Sequence, residues 1–292
     1  MNTNTNYILF KKKRELGEIL SDTFAFIRQE GKSLFTVLIK TSGLPFVLLL
    51  AASAYYTYTS TAVFDPVSLS KGELTNSGSF MISLGLMLIL AVVCYGLFFG
   101  SVLNYIKVYI EHKGAVDSSL VIQGVKKDFG NILALGLISG LIMMFGFALC
   151  ILPGIYLYVP MSLVFAIMIF RNVSISDSIS ESFQLVKNEW WITFATLFVI
   201  ALLIWVIGLI FSIPATVYGL TKTFTAASEG SLSDPYAMID WVFIVLSTLA
   251  SAAKYVLYTV TVISSAFIYF NLNERKYATG ALEQIDKLGT QS

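Results

Sequence analysis

The sequence predicts an all-α polytopic membrane protein: six transmembrane helices, with three amphipathic interfacial helices preceding spans 1, 3 and 5. Three observations carry that expectation. The chain has 292 residues, of which 56% are hydrophobic and only 13% charged, against roughly 25% charged in soluble domains. Its mean hydropathy is +0.77, and apolar runs of about 20 residues recur along its length. Those runs lack the alternation of a membrane strand, and only helices or closed barrels satisfy a backbone in lipid.

Spans are predicted over residues 34–56, 80–106, 129–151, 154–170, 190–213 and 243–270. At about 1.5 Å per residue each reaches or approaches the roughly 30 Å of a hydrocarbon core, 154–170 being the shortest and the longer ones needing tilt. The first basic cluster, Lys11-Lys12-Lys13-Arg14, is followed by mixed residues rather than a compact apolar core. No cleavable leader is therefore expected, and the chain should insert through its own helices. The predicted organisation is an N-terminal segment with an interfacial helix (1–33), a membrane domain of three hairpin repeats (34–270) and a C-terminal tail (271–292).

Charge then orients the bundle. With the N-terminus, the 107–127 and 171–187 loops and the tail on one side, that side holds 16 of the 19 basic residues. Lys71 and Lys222 lie on the other side, with Asp65, Glu73, Glu229, Asp234 and Asp240, while Lys254 falls inside the sixth run. The asymmetry predicts a multi-pass protein of the bacterial cytoplasmic membrane with both termini in the cytoplasm.

The hairpin repeats are read from a motif. Ile27-Arg28-Gln29-Glu30, Val125-Lys126-Lys127-Asp128 and Val186-Lys187-Asn188-Glu189 share the order aliphatic, basic, polar, acidic, each just before an odd-numbered span. The second and third copies lie 61 residues apart, and the same offset carries Pro153 onto Pro214. Both prolines should fall at span ends, where they shape turns. The segment before each copy is amphipathic. Leu16, Leu20, Thr23 or Phe24, and Ile27 mark the first apolar face; Ile175, Ile179, Phe183 and Val186 mark the third. Short one-faced helices of this kind lie in the interface plane.

The stretch ILPGIYLYVPMSLVFAIMIF, the following SISDSISESFQLVKNEWW and the charged YFNLNERKYATGALEQI resemble the membrane domain of the glycerophosphoryl diester phosphodiesterase membrane-domain family and related polytopic bacterial proteins. The resemblance covers about residues 120–200 and 265–285. It implies a polytopic bundle that is sometimes fused to a catalytic phosphodiesterase domain, and no such domain fits in this chain.

Candidate chemistry is sparse. The single histidine, His112, follows the second span beside Lys113, and Cys94 and Cys150 fall inside apolar runs as expected core residues. Zinc or iron sites need three or more convergent ligands, and neither a phosphate loop nor a nucleophile elbow occurs. No enzyme activity, metal or cofactor is expected. A near-neutral net charge of +1 likewise points away from nucleic acid.

The remaining candidates concern lipid. Arg28, Lys126, Lys127 and Lys187 stand before spans and could meet anionic headgroups, while Trp190 and Trp191 match an interfacial aromatic belt. Lys254 and Asn104 are the polar residues that could line a cavity, Lys254 being either interfacial or buried and Asn104 an interhelical hydrogen-bond donor. Gly96/Gly100 and Gly136/Gly140 offer close helix contact, expected within the chain. The sequence thus predicts a non-enzymatic integral inner-membrane protein that binds or organises lipids or partner membrane proteins. The alternative is a transporter or permease-like protein for a lipid or small amphiphile.

Overall fold

A computed structural model describes residues 7–63, 77–230, 240–280 and 282. Asp65, Lys71, Glu73 and Asp234, used above to orient the bundle, lie outside the described residues, as does the expected tail from 283 onward. Among the described residues the structure is helical without strands. The helices are α1 (Leu16–Val63), α2 (Ser77–Glu111), α3 (Ser118–Leu149), α4 (Ile151–Met161), α5 (Val164–Arg171), α6 (Ile175–Val186), α7 (Trp190–Ser228) and α8 (Trp241–Tyr277). Among the described residues six stretches are long and apolar enough to cross a membrane, with α4 and α5 together forming the fourth. This is the all-α, six-span class that composition predicts.

The helices overrun the apolar windows because backbone hydrogen bonding does not stop where hydropathy falls. Hence α1 has 48 residues and α7 has 39. The amphipathic segments before spans 1 and 3 are the opening turns of the continuous helices α1 and α3; only the third, α6, is a helix of its own. Its boundaries have local causes. Asn172 takes a left-handed conformation and ends α5, an excursion that asparagine tolerates better than most residues. Ser174 then caps α6, its Oγ accepting the Asp177 N–H at 3.2 Å and donating to the Asp177 carboxylate at 2.7 Å.

Three further expectations are corrected. Of the apolar face expected at the start of α1 only Thr23 is buried, with Ile19 and Phe26 on its stripe, while Leu16, Leu20 and Ile27 are half-buried and Phe24 is exposed, because the side facing protein decides it and both sides carry apolar residues. Pro214 lies inside α7, which runs on to Ser228; Pro153 does stand in the first turn of α4, after the extended Cys150 that separates it from α3. Cys94 is buried, whereas Cys150, at that break, is exposed.

The chain forms two compact units. The first comprises Met1–Thr41, Gly96–Leu202 and Thr259–Ser292. Its centre is the last part of α8, where every residue from 262 to 274 is buried. Against it lies the non-helical segment before α1. Phe10 stacks on Phe267 (4.3 Å between centroids, 6° between planes) and meets Phe26, Tyr109 and Phe270 edge-on. Arg14 is buried beside it. Its guanidinium donates to the backbone carbonyls of Leu9, Phe10 and Lys12, pairs with Asp22 at 2.8 Å, and lies 4.7 Å over the Phe267 ring. In the same unit, α2 and α3 approach closely: a Cβ on Gly96 or Gly100 would stand 2.9 Å from Leu133 or Ile132. That Gly-x-x-x-Gly pair serves packing within the chain, whereas Gly140 faces open space.

The second unit comprises Ser42–Tyr95 and Leu203–Tyr258. Thr59 and Ser83 share a 2.6 Å hydroxyl contact between α1 and α2, and Tyr95 meets Tyr255 and Tyr258 edge-on. Asp240 starts α8 by accepting the Phe243 N–H at 3.0 Å. It also accepts the Tyr218 hydroxyl at 2.5 Å and pairs with Lys222 at 2.9 Å. The Tyr218 hydrogen bond, then the Phe243 N–H and Lys222, hold its carboxyl well below the usual carboxylate range.

Candidate functional site

The three copies of the aliphatic–basic–polar–acidic motif all belong to the first unit, and each divides in the same way. The bases Arg28, Lys126 and Lys187 are exposed. The acids turn to a neighbouring helix. Glu30 accepts the Tyr105 hydroxyl of α2 at 2.7 Å, Asp128 accepts the Asn104 amide of α2 at 3.2 Å, and Glu189 pairs with Arg275 of α8 at 3.4 Å. Helix geometry explains the first two copies. Residues two apart are rotated by about 200°, so a base followed two places later by an acid presents opposite charges on opposite faces. In the third copy a turn over residues 187–189 does the same.

That third copy is the most elaborated. Glu189 accepts the Thr193 N–H through its carbonyl at 2.9 Å, and its own N–H reaches the Val186 carbonyl at 2.9 Å, which closes the turn between α6 and α7. Trp190 is stacked between Tyr156 and Phe194 and donates its indole N–H to the Tyr156 carbonyl at 3.2 Å. Trp191 packs edge-on against Trp190 and is 76% exposed. One ring is thus built into the fold while the other is free to sit in an interface. Lys127, also exposed, reaches the Asn172 side chain at 3.5 Å.

The end of α8 completes the junction, and sequence reasoning missed it. Lys276 donates to the Gln184 carbonyl at 3.0 Å, while Arg275 reaches Asn271, the Arg14 carbonyl and Glu189 at 3.2–3.4 Å. Together with Lys187 these cations line a groove of about 290 Å³ between the α6–α7 turn and α8. A clue was present in Ser264, Ser265, Asn271, Asn273 and Glu274. They spread polar groups around the whole circumference of α8, which suits a helix enclosed by protein and not one facing lipid.

The two cavity candidates come apart. Asn104 is buried at the α2–α3 crossing, donating to the Gly100 carbonyl at 3.0 Å and to Asp128. A Cβ on Gly124 would stand 2.4 Å from its side-chain oxygen, so it fills its site and bridges two helices. Lys254 belongs to the second unit and is exposed, with Gly208 opposite its aliphatic stem. Of the two placements the sequence leaves open for Lys254, its exposure matches the interfacial one.

Six apolar helices of spanning length define an integral, multi-pass membrane protein. No protein-family model, characterised protein or solved structure matches the chain.

Proposed function

We propose that the chain is a non-enzymatic protein of the bacterial cytoplasmic membrane, with both termini in the cytoplasm, that binds and organises anionic lipids and, with them, partner membrane proteins. The observation that supports this reading is the repeated division of charge at the span starts. The acids Glu30, Asp128 and Glu189 are engaged with neighbouring helices, while Arg28, Lys126 and Lys187 face outward and form no ion pair among the described residues. Each such base attracts an anionic membrane surface by about 1 kcal/mol. The resemblance to phosphodiesterase-associated membrane domains implies a polytopic bundle, in keeping with this reading.

Native mass spectrometry from mild detergent tests the proposal. The wild-type chain should retain anionic lipids, and Arg28→Glu with Lys126→Glu should lower their number. Unchanged retention in that variant removes the headgroup reading.

A further inference from the structure

We propose that the groove between the α6–α7 turn and α8 is a saturable site for a phosphate-bearing anion. This deepens the lipid reading above and rests on it for the lipid as the source of that phosphate. Lys187, Arg275 and Lys276 line the groove against one carboxylate, Glu189, over a floor of Leu185 and Leu272. The cations are under-used. Lys187 makes no hydrogen bond or ion pair with the described residues, and Lys276 uses one of three donors. Arg275 holds its three partners at 3.2–3.4 Å, beyond the roughly 2.7–2.9 Å of strong charge-assisted bonds.

Geometry selects the ligand class. Two ammonium groups and a guanidinium fork around one small space match the several oxygens of a phosphate better than the two of a carboxylate. The positive end of α7, a 39-residue helix starting at Trp190, opens on the same turn. A groove of about 290 Å³ lies just below the range of pockets that enclose whole drug-sized molecules, so it accepts a headgroup and leaves acyl chains outside. Trp191, two residues after Glu189 in the chain and exposed, suits the headgroup level of a bilayer.

The test titrates the purified full-length protein in detergent with dihexanoyl phosphatidic acid and, separately, with inorganic phosphate, read by tryptophan fluorescence and by calorimetry. Saturable binding is expected, weakened about tenfold or more by Lys187→Gln with Lys276→Gln, the loss of one or two charge-assisted bonds. Glu189→Gln should tighten binding about threefold by removing the competing carboxylate, a gain that misfolding does not produce. Tight binding of the short-chain lipid alone identifies a headgroup, and equal binding of inorganic phosphate identifies a free anion; both support the site. Non-saturable binding, or wild-type affinity in the Lys187/Lys276 variant, overturns it. If Arg28→Glu with Lys126→Glu loses lipid while the groove variants change nothing, the groove falls and the broader reading stands. If that pair retains all lipid while the groove still binds, the broader reading falls alone.

Discussion

The first compact unit fully buries large aromatic side chains, Phe10, Phe26, Tyr105, Tyr109 and Phe267, beside small ones such as Ser101 and Ser178. In the second, the buried residues among those described are Leu49 and otherwise small ones, namely Ser42, Ala52, Thr59, Ser83, Cys94, Gly208, Ala226 and Ala250. The second unit follows the rules of lipid, where apolar burial gives no drive between helices and small residues let backbones approach. The first has the interior of a water-soluble protein, with aromatic clusters and a buried guanidinium whose donors are satisfied. The exposed bases and the groove belong to the unit whose core is rigidly filled, as a precise binding surface requires.

Truncation should expose this contrast most strongly. Phe10→Ala removes a ring that touches four others and should cost about 4 kcal/mol, against about 2 for Leu49→Ala in the second unit. Thermal unfolding in a fixed detergent measures both, and equal losses would erase the distinction. A smaller effect is expected at the helix crossings. Gly124→Ala collides with Asn104 and should destabilise by about 1–3 kcal/mol, whereas Gly140→Ala meets open space and should stay within about 0.5 kcal/mol.

The smallest effect concerns acid. Asp240 has a carboxyl depressed below its ordinary value of 3.8. A depressed group stabilises the fold above the unfolded pKa, and that contribution is lost as pH falls through the folded one. Stability measured from neutral pH downward should therefore fall below about pH 4 in the wild type and fall less in Asp240→Asn. Superimposable profiles would remove the Tyr218–Lys222–Asp240 cluster as a contributor.

The spans were legible because hydropathy over 18 or more residues is a property of composition, independent of partners. The motif itself is plain in the sequence, whereas the structure puts its first two copies within α1 and α3 and only the third at the turn before α7. Which way its charges point was not legible, since Glu30 and Asp128 find their partners on α2, far along the chain. Arg14 illustrates the limit most clearly. In Lys11-Lys12-Lys13-Arg14 it reads as one more surface base, yet it alone of the four is buried, because its carbonyl acceptors come from an irregular backbone that carries no periodic signal. Lys254 marks another limit: a charge in an apolar run leaves an interfacial and a buried placement both open, and the exposed side chain shows that a long aliphatic stem lets the ammonium remain outside.

The packing of the segment before α1 also bears on how the molecule is made. The backbone N–H of Arg14 donates to the Asn271 side chain across 257 residues of chain. A ribosome adding about 5–20 residues per second delivers Arg14 roughly 10–50 s before Asn271 exists. Throughout that interval Phe10 and Arg14 have no α8 to close upon. The opening residues are therefore the last to settle, and a chain whose final helix is delayed or mutated should present them to proteases and chaperones as an unfinished end.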